Sequence, residues 1–139
     1  MDYESYRRNY FVDPRPEPRF EFLGLHGVTL FFSDFKAALE YYTRVLGPPA
    51  YVEGAATRGW QLGNTWLTLL EWEKGSPRNV EFNIVMKTSR DAERLQTAFI
   101  EAGGSGEPPS DQLMYEPVRF CPVVDPFGTH ILIFSRLSD

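Results

Sequence analysis

The order of apolar and polar positions divides the chain into two similar halves behind a distinct N-terminal segment. FLGLHGVTLFF, residues 22–32, is apolar on both faces and predicts a strand. Ser33 or Asp34 is placed to cap a following helix, in which Phe35, Ala38, Leu39, Tyr42 and Leu46 recur at helical spacing. Gly47 ends that helix, and Pro48 and Pro49 forbid its continuation. Short strands follow in AYVEG, in ATRGWQLG and, past a Gly63-Asn64 turn, in TWLTLLEW. After the polar EKGSPR the order begins again. VEFNIVM predicts a strand, and Thr88 with Asp91 resembles a capping box. Ala92, Leu95, Phe99 and Ala102 then form a helical stripe closed by Gly103. A long loop, GSGEPPSDQLMYEP, leads to the strand VRFCPVV, and a DPFG turn feeds the last strand, THILIFS.

The repetition is quantitative. His26 and Glu81 lie 55 residues apart, as do Ser33 and Thr88, and Gly47 and Gly103 lie 56 apart. Each half reads strand, helix and about three strands, with the first module at 22–75 and the second at 79–137. A small sheet carrying one helix leaves its other face uncovered. Two such halves bury their free faces by curling around a shared cup. Residues 1–21 stand apart as an arm containing Tyr3, Tyr6, Tyr10 and Phe11, with prolines at 14, 16 and 18 that exclude a regular helix or central strand. Its rings are expected either to move in solvent or to pack on the domain or a second subunit.

Composition narrows the function. At 139 residues the chain fits a single domain spanning 22–139 beyond the arm. The net charge of −5 and pI near 5.1 argue against nucleic-acid and anionic-membrane partners. No apolar run reaches the length of a membrane span, and the N-terminus is too polar for a signal peptide. The single cysteine, Cys121, lies in an apolar strand. It fits a buried, inert thiol in a reducing, cytoplasmic compartment.

HGVTLFFSDFKAALEYYTRVLG, at the opening of the first half, and DPFGTHILIF, at the end of the second, resemble the vicinal oxygen chelate superfamily, the group of glyoxalase I, bleomycin resistance proteins and extradiol dioxygenases. The resemblance extends from about Leu23 to Leu137. It implies an α+β fold in which two βαβββ modules form a cup-shaped half-barrel with the helices outside, and it implies a homodimer. In the family, the first and last strands of each half supply metal ligands, usually a His, a Glu, a second His or similar ligand, and a Glu. The matching positions here are His26, Thr68, Glu81 and Leu132. His26 fits, Glu81 is a competent substitute, Thr68 is a poor ligand, and Leu132 is no ligand at all.

Strand alternation sets the expected lining, since residues two apart share a face. His26 in the cup brings Val28 and Leu30 with it. Thr68 brings Trp66 and Leu70, Glu81 brings Asn83, and Leu132 brings His130 and Phe134. Leu67, Leu69, Phe82, Ile84, Ile131 and Ile133 then face the helices. Two readings of the cup stand. One is a metal-free pocket for a small hydrophobic or aromatic molecule, with Trp60 as a further wall and the loop carrying Asp111, Gln112, Met114 and Tyr115 as a rim. There His26 and Glu81 form an acid–base pair. The other is a divalent metal site using His26, Glu81 and His130, serving a lyase, isomerase or dioxygenase. Arg119 is expected in a surface ion pair, with an anionic ligand as the alternative.

Overall fold

In a computed structural model of the 139-residue chain, residues 1–18, 27–74, 80–113 and 116–137 are described. The arm contains a helix that the proline argument excluded. α1 (Tyr3–Tyr10) is capped by Asp2, whose carboxylate accepts the Ser5 N–H at 2.8 Å, and it stops before the prolines begin. The first module follows: β1 (Gly27–Phe32), α2 (Phe35–Leu46), β2 (Tyr51–Glu53), β3 (Thr57–Leu62) and β4 (Thr65–Glu71). The second repeats it as β5 (Glu81–Met86), α3 (Ser89–Glu101), β6 (Ser110–Leu113), β7 (Pro117–Val124) and β8 (His130–Arg136). The loop expected after α3 thus contains a strand, β6, which completes the three strands per half.

The two sheets have the same topology, β1-β4-β3-β2 and β5-β8-β7-β6. In each, the first strand pairs in parallel with the last, and the rest is antiparallel. Both sheets are open and carry their helix on one face, as expected for an α+β half-barrel with helices outside. The predicted caps are present. The Asp34 carboxylate accepts the Ala37 N–H, and the Thr88 hydroxyl accepts the Asp91 N–H. Gly47 takes φ +89°, which favours glycine and ends α2. Among the described residues no helix is long and apolar enough to cross a membrane.

The helix faces of both sheets join in one core. Leu67, Leu69, Phe82, Ile84, Ile131 and Ile133 belong to it, as their alternation predicted. The modules meet through aromatic rings. Phe32 lies edge-on to Phe127 at 5.3 Å, and Tyr42 edge-on to Phe99 at 6.3 Å. Two buried hydrogen bonds cross the same junction. The Tyr41 hydroxyl donates to the Phe99 carbonyl at 2.9 Å, and the Tyr42 hydroxyl donates to the Asp125 carboxylate at 2.6 Å. The other Asp125 oxygen accepts the N–H groups of Phe127 and Thr129. The DPFG turn is therefore a clasp between modules, tied by one carboxylate. Gly104 lies against the clasp. A Cβ there would come within 2.8–2.9 Å of the Tyr41 hydroxyl and the Phe99 and Val124 carbonyls.

Candidate functional site

The helix-free faces of the two sheets carry the candidate residues. On β4, Leu67 and Leu69 are buried while Trp66, Thr68 and Leu70 lie on the opposite face, half-buried. On β5, Phe82 and Ile84 turn inward, leaving Glu81, Asn83 and Val85 exposed. On β8, His130, Leu132 and Phe134 share the open face. Their faces agree with the sequence expectation.

Sheet one presents an aromatic floor. Register places Tyr51 opposite Gly59 and Gly59 opposite Thr68. The Tyr51 and Trp66 rings meet edge-to-face at 6.4 Å. They occupy the space above Gly59, where a Cβ would lie 3.2 Å from the Tyr51 Cβ and 3.4 Å from the Trp66 ring. Any larger residue at 59 pushes against these rings. Tyr51 was missed in the sequence. The hairpin around Gly54 sets its register against Gly59, and counting back from that turn would have found it.

On sheet two, Glu81 is the register partner of His130, Asn83 of Leu132, and Val85 of Phe134. Phe120 and Pro122 of β7 continue the face opposite Phe134 and Leu132. Leu132, which the sequence resemblance aligned with a fourth ligand, is 5% exposed and offers only alkyl surface. Glu81 and His130 stand level on adjacent strands, about 4.8 Å apart at the backbone. No ion pair joins them among the described residues.

Several expectations need correction. Val28 and Leu30, expected in the cup, point to the helices. The parallel register sets Val28 beside Leu67 and Leu30 beside Leu69, and Leu30 is fully buried. β1 is apolar on both sides, so hydrophobicity could not choose its face; Phe31, 40% exposed, holds the open one. The expectation that Val28 and Leu30 follow His26 into the cup is therefore not met for these two residues. His26 itself lies outside the described residues, as do Met114 and Tyr115. Trp60 is no pocket wall. It is buried in the core, and its indole N–H donates to the Gly47 carbonyl at 2.8 Å. Asp111 and Gln112 belong to edge strand β6. Asp111 ion-pairs with Arg119, which also bonds Glu93 of α3 at 2.9 Å, so the surface ion pair holds. Cys121 is fully buried, and burial followed by the Glu93 charge pushes its thiol up, away from the reactive thiolate.

Among the described residues the donors do not gather into a metal site: no three of His, Cys, Asp or Glu lie closely enough to hold an ion. Glu81 and His130 supply two donors, and Leu132 closes the position where a carboxylate would be needed. The two surface hollows described lie elsewhere, one on α2 around Leu39, Glu40, Thr43 and Arg44, the other at Ser33, Glu71, Trp72 and Glu73.

No protein-family model matches the sequence, and no curated protein does either. Solved structures match closely in shape. A glyoxalase/bleomycin resistance protein from Albidiferax ferrireducens superposes with a TM-score of 0.68 at 17% identity, covering 81% of this chain and 98% of the other. The chain has the vicinal oxygen chelate fold. A glyoxalase/bleomycin resistance protein/dioxygenase from Alicyclobacillus acidocaldarius shares it with a TM-score of 0.64 at 14% identity, covering 84% and 94%. A virulence protein from Salmonella typhimurium shares it with a TM-score of 0.67 at 19% identity, covering 85% and 100%. The open faces described above are those of the vicinal oxygen chelate half-barrel.

Proposed function

We propose that the protein binds a small hydrophobic or aromatic molecule on the open face of the half-barrel, in the manner suggested by its neighbours named bleomycin resistance proteins, and that it does so without metal. The observation that carries this reading is the lining. Trp66 and Tyr51 form an aromatic floor on one sheet, and Phe134, Phe120 and Leu132 form an apolar one on the other. Thr68 and Asn83 are the sparse polar groups that orient a ligand. A flat ring stacks on the indole, and the alkyl group of Leu132 takes the place of a charged ligand. Glu81, with His26, is the acid–base pair if a proton is moved. The buried thiol of Cys121 suits a reducing cytoplasm. A homodimer, in which a second copy walls the open face, completes the reading.

Screening a panel of planar hydrophobic compounds by tryptophan fluorescence is expected to find ligands whose affinity is unchanged by chelator. Trp66→Ala is expected to weaken them by about 2 kcal/mol, close to thirtyfold. If no compound binds, or if Trp66→Ala leaves binding intact, the reading fails.

The adjacent placement of Glu81 and His130 favours one alternative, a metal-dependent glyoxalase-like lyase or isomerase, or a dioxygenase. Elemental analysis of protein purified without an affinity tag separates the two. Stoichiometric transition metal that disappears in Glu81→Ala supports the alternative, and a trace amount removes it.

A further inference from the structure

Two aromatic side chains on the open face of the first sheet meet at a steep angle. Tyr51 and Trp66 are separated by β3, where Gly59 carries no side chain. Their rings close over its backbone with centroids 6.4 Å apart and planes at 71°. Two ring planes so disposed form the walls of a corner, and Tyr51, 47% exposed, leaves it accessible from solvent.

A carboxylate stands beside the corner. Glu53 lies two residues along β2 from Tyr51, so strand alternation puts both on one face, and the Tyr51 hydroxyl donates to Glu53 Oε1 at 2.9 Å. Glu53 is exposed and is in no described ion pair. Its register partner is Thr57, whose partner on β4 is Leu70, so its row of the sheet brings no basic group to it. Arg58 is the one cation of the β2–β3 hairpin. By register it shares the other face with Val52 and Leu69, and its guanidinium donates to the Gly54 and Thr57 carbonyls.

This combination selects the charge of a guest. A π face attracts a cation, the indole of tryptophan most strongly, and two rings at a steep angle act on it together. The carboxylate adds a full negative charge at the rim. One of its oxygens already accepts the Tyr51 phenol, which leaves one for the guest. A guanidinium bonds a carboxylate best through two parallel N–H groups and meets only half of that match here. A rounded alkylammonium needs no fork and is attracted as a point charge. The net charge of −5 favours the approach of any cation.

We propose that the corner formed by Tyr51, Trp66 and Glu53 receives an alkylammonium group, so that the molecule taken by the open face is a hydrophobic organic cation. The inference rests on the binding function proposed above and names the charge of its guest.

The test titrates the full chain with meta-hydroxyphenyltrimethylammonium and with its neutral isostere, meta-tert-butylphenol. Binding is followed by the Trp66 indole N–H resonance, assigned from a Trp66→Phe variant. The cation is expected to bind roughly fivefold more tightly than the isostere, or better. Glu53→Gln removes the charge and keeps an oxygen for the Tyr51 hydroxyl. Tyr51→Ala removes one wall. Both positions lie on an exposed edge strand outside the core. Each variant is expected to bring the ratio of the two affinities most of the way to one. Glu40→Gln, which removes the same charge from the exposed side of α2, is expected to leave the ratio as it is. If the two probes bind alike, or if the preference survives in Glu53→Gln, the cation assignment is overturned and the binding of a neutral aromatic molecule stands. If neither probe binds while members of the planar panel do, the assignment again falls alone. If neither the probes nor the panel bind, both readings fall.

Discussion

Asp125→Ala is expected to cost the fold about 3–5 kcal/mol, among the largest losses a single substitution produces. The carboxylate is 3% exposed and accepts three hydrogen bonds, from the N–H groups of Phe127 and Thr129 and from the Tyr42 hydroxyl. Alanine leaves all three donors without their acceptor inside the junction of the two modules. Tyr42→Phe removes only the hydroxyl and is expected to cost about 1.5–3 kcal/mol, the usual worth of a bond to a charged group. Asp125→Asn keeps an oxygen for the two N–H groups and is expected to be milder than alanine. Urea titration of the three variants checks the order. A loss below about 1 kcal/mol for Asp125→Ala would show that the clasp contributes little.

Alkali is expected to unfold the protein by loading the same junction. Burial, followed by the charge of Asp125, pushes the Tyr41 phenol up to about 12 and the Tyr42 phenol still further above its usual range. A phenol with a raised folded pKa keeps its proton where the unfolded chain has already lost it. The unfolded state then binds fewer protons, so stability falls as pH rises. The contribution is complete below about pH 10 and is lost from there toward the folded pKa, at about 1.4 kcal/mol per pH unit for each phenol. The two tyrosines together give a steep decline. In Tyr42→Phe the decline is expected to become shallower, because of the two junction phenols only Tyr41 remains, beside the raised thiol of Cys121. A stability curve that stays flat from about pH 10 to about pH 12 would contradict this.

Most of the architecture was legible because it rests on local periodicity and repetition. The stripes through Ala38 and Tyr42 and through Ala92 and Phe99 located both helices, and alternation sorted Leu67, Leu69, Ile131 and Ile133 from their neighbours. Faces failed where the pattern has no contrast. In β1, Val28 and Leu30 compete with Phe31, and only pairing with β4 decides between them. α1 escaped because the prolines at 14, 16 and 18 coloured the reading of the residues before them. The clasp was invisible for another reason. DPFG is readable as a turn, but the hydroxyl it holds comes from 83 residues away. Gln96 is a similar case. It lies within a helix, yet its buried side chain donates to the carbonyls of Glu107 and Pro122, acceptors named by no local pattern. Of the candidate residues, Trp66, Leu70, Asn83, His130 and Phe134 were reached by carrying parity outward from Thr68, Glu81 and Leu132, the positions that the family resemblance supplied. Tyr51 needed the hairpin register.

Inward and outward residues alternate along β4 and β8, so neighbouring letters of one strand meet different physical demands. Changes at 66, 68 and 70, or at 130 and 134, alter chemistry at the outer surface, whereas 67, 69, 131 and 133 hold the interior. The open face can therefore change widely while the scaffold stays recognisable. Chains that retain this shape at 14–19% identity are what such divided constraint would leave behind.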